Sequence, residues 1–258
     1  MKQTVFDRIV SKKKLGEKLF AVLIDPDKVN DVSLLSIIEL SEKAGVDLFF
    51  IGGSLMVSDY MDQCIQSIQR KTSIPTVLFP GSHIQVSKHA DALLYLSLIS
   101  GRNAELLIGQ HVVSAPFVKS SGLEVIPTGY MVVDGGHPTA VSYMSNSFPI
   151  PKDKKDIAMC TAMAGEMLGM KLIYMDAGSG ANFPISAKMV SSVSQHIECP
   201  LVIGGGIRTK AHAIEACEAG ADIVVVGNAI EKDASLIGEL SEAIHSSGKA
   251  KRRIHSTM

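Results

Sequence analysis

Leu201–Arg208 reads LVIGGGIR, and fifteen residues after its last residue Ile223–Ala229 reads IVVVGNA. Each stretch is a short apolar run that ends in glycine and leads into an amphipathic segment. Glycines placed directly after a strand and before a helix let backbone N–H groups approach an anion closely. In (β/α)8 barrels the loops after strands seven and eight, with the N-terminus of a short helix, form a frequent phosphate site. A tight turn needing positive φ would explain one such loop. Two of them, in consecutive strand–helix units, point to phosphate.

Working outward, six more apolar runs precede these two: Phe20–Ile24, Leu48–Ile51, Thr76–Phe79, Ala92–Leu96, Val125–Val133 and Leu172–Met175, with Leu201–Ile203 and Ile223–Val226 completing eight. Continuous rather than alternating apolar runs suit strands buried on both faces, as in a parallel sheet. Helical periodicity fills most gaps, over Val32–Ala44, Met56–Arg70, Ala104–Lys119, Asp153–Leu168, Pro184–His196, Lys210–Ala219 and Ala234–Ser246. His83–Asp91 is too short and polar for a full helix, and Asp134–Ile150, rich in Gly, Pro, Ser and Asn, reads as a loop. Eight strands alternating with helices predict one (β/α)8 TIM barrel across the chain, with the helix after strand three reduced. A doubly wound open sheet is the competitor, weakened because no GxGxxG follows the first strand.

Composition agrees. Lys and Arg number 25 against 26 Asp and Glu, a net charge of −1, which argues against nucleic acid as partner. Apolar residues make up 46% of the chain, enough for a large core. The four cysteines, Cys64, Cys160, Cys199 and Cys217, lie far apart without metal-ligand spacing, as expected for reduced, buried thiols in a cytoplasmic protein. The first twenty residues lack the apolar segment of a signal peptide. No apolar run approaches the ~18 residues of a membrane span.

Two acidic sites complete the rim. Asp176, in Tyr174-Met-Asp-Ala-Gly-Ser-Gly180, ends a strand where barrel enzymes place catalytic groups, unless it serves only to hold its own turn through an Asx-type hydrogen bond. Asp25 and Asp27 flank Pro26 after the first strand, an oxygen-rich corner suited to Mg2+, with Asp27 alternatively capping the next helix. Ser54, in Gly52-Gly53-Ser54, adds a hydroxyl on the adjacent loop. A phosphate site at one side of the mouth and a metal site, with a second phosphate group, at the other suggest transfer between two phosphorylated substrates.

In order along the chain, LIDPDK, FIGGS, YMDAGSGA, VIGGGIRT and VVVGNAI resemble the geranylgeranylglyceryl phosphate synthases and their bacterial relatives, over about residues 20–230. The resemblance implies a Mg2+-dependent barrel joining sn-glycerol 1-phosphate to a polyprenyl (C20) diphosphate, a step in ether phospholipid biosynthesis. It assigns the metal to Asp25 and Ser54. It assigns glycerol phosphate to Tyr174, Asp176, Ala177, Gly178, Ser179 and Gly180, to Gly204 and Gly205, and to Gly227 and Asn228. Asp176 is then the catalytic base, although the family commonly has Glu there. Some bacterial relatives carry Lys two residues before the first Asp of DPD; Leu23 at that place points to the archaeal-like branch, often homo-oligomeric, rather than to heptaprenylglyceryl phosphate synthases.

A long prenyl chain needs an apolar groove, for which Phe79, Tyr95, Phe117, Tyr130 and Met131 are candidates, each equally readable as core. Arg102 is a candidate diphosphate ligand or a solvated helix-start residue. The basic cluster Lys249–Arg253 reads as a disordered tail over 249–258, with at most peripheral contact to anionic lipid. Two rival readings remain: an isomerase or synthase acting on a sugar or heterocycle phosphate, which needs neither acidic corner nor lipid groove, and a non-catalytic phosphometabolite binder.

Overall fold

Parallel strands pair in chain order from β1 (Leu19–Ile24) through β2 (Leu48–Ile51), β3 (Thr76–Leu78), β4 (Ala92–Leu98), β5 (Glu124–Val132), β6 (Leu172–Asp176) and β7 (Leu201–Gly204) to β8 (Ile223–Val226), and β8 pairs back with β1. The result, a computed structural model describing residues 4–255 (side chains to 248), is a closed eight-stranded (β/α)8 barrel.

The continuous apolar runs follow from burial on both faces. Successive side chains of a strand point to opposite sides. In β1, Leu19 and Ala21 point into the barrel beside Leu48, Phe50, Val77 and Val225, while Phe20, Val22 and Ile24 pack outward under the helices. Neither face meets water, so neither tolerates polar alternation.

The helices are α1 (Val5–Lys14), α2 (Asp31–Ala44), α3 (Met61–Gln69), α4 (Gln110–Ser121), α5 (Ala140–Ser145), α6 (Lys155–Met167), α7 (Ala187–Ser194), α8 (Lys210–Ala219), α9 (Asn228–Lys232) and α10 (Leu236–His255). α2 starts where the Asn30 and Ser33 side chains each bond the other's backbone N–H, and stops at Gly45, whose φ of 70° a side chain would strain. α3 begins five residues later than its periodicity predicts. Asp27 does not cap α2; its carboxylate accepts from the N–H groups of Val57 (2.7 Å) and Ser58 (3.1 Å), and from the Ser58 hydroxyl, holding 52–60 as a loop. α4 is preceded by one π-helical turn, Glu105–Gly109. The helix after β3, expected to be reduced, is missing altogether between β3 and β4. Asp134–Ile150 does contain a helix, α5, with a Thr139–Ser142 capping box that its turn-rich composition obscured.

α1, which the sequence reading omitted, closes the barrel floor. Val5 and Ile9 pack into the interior cluster. The Glu124 carboxylate at the start of β5 accepts from the N–H groups of Val5 (2.7 Å) and Phe6 (3.0 Å), two donors a helix start leaves unpaired. Lys13 donates to Asp222 at 2.8 Å just before β8. At the other end of the chain the backbone is helical through His255, where a disordered tail was expected from Lys249 onward; the side chains of that basic cluster and residues 256–258 lie outside the described residues. All four cysteines are free thiols. Cys64 and Cys217 are buried as expected, but Cys199 is only partly so, and Cys160 is exposed because it falls on the outer side of α6. Among the described residues no helix is long and apolar enough to cross a membrane.

Candidate active site

With the floor closed, the accessible hollow is at the C-terminal ends of the strands. A cavity of about 730 Å3 opens there. It is lined by Asp25 and Ser54 on one side and by Tyr174, Asp176, Gly178, Ser179, Gly180, Gly205, Gly227 and Asn228 on the other. Ala177 and Gly204 are not on its wall. They sit just behind it, where the Ala177 N–H donates to the Gly204 carbonyl at 3.1 Å and locks the β6 turn to the β7 turn.

Those turns approach so closely that glycine is required. Gly205 has φ of 80°, and a Cβ there would lie 2.7 Å from the Ala177 and Gly178 nitrogens and from Asp176 Oδ1. A Cβ on Gly204 would lie 2.7 Å from the Tyr174 hydroxyl. Asp176 is buried. Its Oδ2 accepts from the Tyr130 hydroxyl at 2.6 Å and its Oδ1 from the Gly178 N–H at 2.7 Å. The second bond is the Asx turn of the structural reading, so Asp176 shapes its loop and faces the cavity at once. Burial pushes its carboxyl above the usual carboxylate range, against the two hydrogen bonds that favour the anion. Tyr130 and Tyr174 are pushed well above the usual phenol value, first by burial and then by the charge of Asp176. Tyr174 stacks on Phe79 with ring centroids 4.9 Å apart and meets Tyr130 edge-on at 5.5 Å, which fixes the wall behind Asp176.

Across the mouth, Asp25 Oδ2 lies 3.0 Å from the Lys28 ammonium, which also lies 3.6 Å from Glu231 on α9. Burial works to lower Lys28, but the bond to Asp25 and the charge of Glu231 outweigh it and hold the ammonium above the ordinary lysine value. Burial raises the Glu231 carboxyl against the pull of Lys28. Neither Lys28 nor Glu231 stood out in sequence, although Lys28 was inside the quoted LIDPDK and only the partner on α9 was hidden. With its amide turned so that oxygen faces donors, Asn228 accepts from the Gly180 N–H (2.9 Å) and Ser179 Oγ (3.0 Å) and donates to Glu231 (3.2 Å). A continuous polar chain therefore runs from the glycine turn through Asn228, Glu231 and Lys28 to Asp25.

Among the described residues no three His, Cys, Asp or Glu side chains gather to hold a metal by themselves. Asp25 and Ser54 meet the looser demand of Mg2+, which takes one or two protein oxygens and completes its shell with water and substrate phosphate. Asp25 Oδ2 already faces a cation in Lys28. Glycine at residue 53 gives that carboxylate room, since a Cβ there would lie 3.0 Å from the oxygen, a tight contact.

The remaining wall carries an apolar stretch that includes Leu96, Leu98, Leu106 and Val141, with Gln110, His111 and Ser114 as polar groups beside it. Of the groove candidates, Phe79, Tyr95 and Tyr130 line the cavity. Met131 does not, because it neighbours the inward Tyr130 on β5 and so points to the outer layer. Phe117 is exposed on the outer side of α4. Arg102 bonds its neighbour's carbonyl, at Gly101, and is absent from the wall; Arg208 is the arginine present, donating to the Ala181 carbonyl at 2.5 Å beside the β6 turn. Leu23 lines the cavity against Gly227.

A closed parallel barrel with glycine turns after its last three strands, and a buried carboxylate beside them at the mouth of a cavity, has the architecture of a (β/α)8-barrel enzyme. The chain belongs to the PcrB family, whose description matches residues 10–245. It is 58% identical over 245 residues to a geranylgeranylglyceryl phosphate synthase of Chitinophaga pinensis, covering 95% of this chain and 97% of that one. It is 42% identical over 231 residues to the synthase of Thermococcus gammatolerans, covering 89% and 91%. Among solved structures, the (S)-3-O-geranylgeranylglyceryl phosphate synthase of Thermoplasma acidophilum in complex with its substrate sn-glycerol-1-phosphate superimposes with a TM-score of 0.89 at 32% identity, covering 94% of this chain and 99% of that one. By these relatives the chain is an enzyme, a prenyltransferase.

Proposed function

We propose that the chain joins sn-glycerol 1-phosphate to geranylgeranyl diphosphate, forming the ether of geranylgeranylglyceryl phosphate and releasing diphosphate, with Mg2+ as cofactor. The observation that carries this reading is the shared cavity: glycine turns, a buried carboxylate, an acidic corner and an apolar wall all open into one space.

The turns of β6, β7 and β8 hold the phosphate of the acceptor and bring its 3-hydroxyl to Asp176. The hydroxyl oxygen bonds to C1 of the prenyl chain while the bond from C1 to the diphosphate oxygen breaks, its electron pair leaving with the diphosphate. The hydroxyl proton passes to Asp176, whose acidity is shifted by burial toward a useful base. An ionised Asp176 also favours the positive character that develops on the allylic carbon. Asp25 and Ser54 would hold the Mg2+, which when bound would neutralise charge on the leaving diphosphate. Lys28 stands ready as a second cation at the same corner. The apolar wall around Leu96, Leu98 and Leu106 receives the chain.

The test is labelled sn-glycerol 1-phosphate with C15, C20 and C35 diphosphates, with Mg2+ or with chelator. An organic-soluble product formed best with C20, and abolished by chelation, is expected. A preference for C35 would move the assignment to the heptaprenyl reaction, which Leu23 in place of lysine on the cavity wall disfavours. No product with any chain would return the sugar- or heterocycle-phosphate reading, which leaves the apolar wall without a purpose.

A further inference from the structure

Several large apolar side chains are exposed on the connections that follow strands. Val57 in the β2–α3 loop, Ile84 between β3 and β4, and Tyr143 and Phe148 in the β5–α6 connection have 83%, 77%, 85% and 96% of their surface open to solvent. Phe183, after β6, is half exposed and carries the Lys152 ammonium 5.2 Å from its ring centre. Connections of this kind all lie at the C-terminal pole of a (β/α)8 barrel, the pole at which the cavity opens. Loop tips on a soluble surface are normally polar, and contiguous apolar exposure rimmed by charge marks an interaction site.

We infer that this rim docks on a lipid bilayer, so that a membrane-dissolved chain enters the cavity without crossing water. Two observations favour lipid over a protein partner. The apolar surface does not stop at the rim: Leu55 and Met144 lie on the cavity wall and are themselves about half exposed, which joins Val57 and Tyr143 outside to the apolar wall inside. A protein seated there would close the entrance, whereas a bilayer fills the same apolar surface with the substrate's own solvent. The rim residues are also of the interfacial type, aromatic rings and branched aliphatics beside lysines. The stretch Lys152-Asp-Lys-Lys-Asp156 alternates its charges, with Lys154 and Lys155 each beside an aspartate, so attachment is apolar rather than electrostatic. The inference rests on the prenyl-transfer reading for its purpose, but not for its test.

Full-length protein is sedimented with vesicles of phosphatidylethanolamine and phosphatidylglycerol, three to one, without substrate and at low and high salt. Turnover is measured separately in vesicle-free buffer with geranyl diphosphate, a water-soluble allylic diphosphate. The variant V57S/Y143S/F148S changes only exposed side chains off the cavity wall. Expected are co-sedimentation of the wild type that persists at high salt, a tenfold or greater loss of vesicle partition in the variant, and unchanged vesicle-free turnover. Wild-type protein left in the supernatant, a variant that partitions like the wild type, or partition abolished by salt would overturn the inference, the last pointing to the basic cluster at 249–253. A variant that alters self-association by light scattering while leaving vesicle partition unchanged would assign the rim to a second copy instead. Absence of turnover in both proteins would bear on the use of a ten-carbon chain and not on the docking, since vesicle partition is read without substrate.

Discussion

Two hydrogen bonds on Asp176 oppose the effect of its burial, and each comes from a different element. Tyr130, on β5, is the bond that can be removed without touching the β6 turn. Tyr130→Phe deletes a donor to the anion, so the Asp176 carboxyl moves further upward and protonates at higher pH. A base must be deprotonated to act; the acid limb of kcat/KM against pH therefore shifts to higher pH in Tyr130→Phe. Asp176→Asn, measured beside it, should bind sn-glycerol 1-phosphate yet lose about 10²–10⁴-fold in kcat, the usual worth of a positioned base. An unmoved acid limb in the first, or near wild-type turnover in the second, removes Asp176 from that role. The sequence already carried much of this site, because acid and glycine at strand ends have few other uses. It did not carry Tyr130's role, which depends on β5 pairing with β6 so that Tyr130 stands opposite Tyr174. Strand alternation alone excludes placing both Tyr130 and Met131 on the groove, since neighbours on a strand face opposite ways.

At the scale of elements, α1 shows how a polar residue far away can start a helix. Glu124 holds two N–H groups of its first turn, while Thr4 supplies the local cap through Asp7 N–H at 3.1 Å. Glu124→Ala leaves those donors without their charged acceptor and costs about 1–2 kcal/mol, a loss of a few degrees in Tm for a protein of this size. Thermal unfolding checks this, and an unchanged Tm would mean that water replaces the carboxylate at no loss. Strands were readable because burial on both faces leaves only apolar residues. Helix boundaries were less so. α3 loses its first turn to Asp27, a tertiary contact made thirty residues away, and α5 forms from a segment whose composition favours turns. α9 is too short for any periodicity to announce it.

For the molecule as a whole, the chain of contacts from the glycine turn through Asn228, Glu231 and Lys28 to Asp25 joins the two halves of the mouth. The chain predicts that occupation of one half is felt at the other, as a coupling free energy that must be reciprocal. By calorimetry, the affinity for sn-glycerol 1-phosphate with Mg2+–diphosphate present should differ from that in its absence. Glu231→Gln, which keeps a partner for Asn228 but drops the charge facing Lys28, should bring the ratio toward one. A ratio that the variant leaves unchanged would show that the halves communicate by another route. Eight parallel strands alternating with helices were legible from the runs and their spacing, but closure was not shown by the runs themselves, since an open sheet shares them.

That closure has a bearing on how the chain is made. β1 finds one neighbour in β2 soon after synthesis but its other, β8, only when almost all of the sequence has left the ribosome. Until then Phe20–Ile24 is an unpaired, wholly apolar edge, the kind of surface on which nascent chains stick to one another. Seating α1 against Glu124 and Asp222 must wait as well, because both acceptors belong to later strands or the turns before them. The first strand is therefore the one whose second edge stays open longest while the chain is being made.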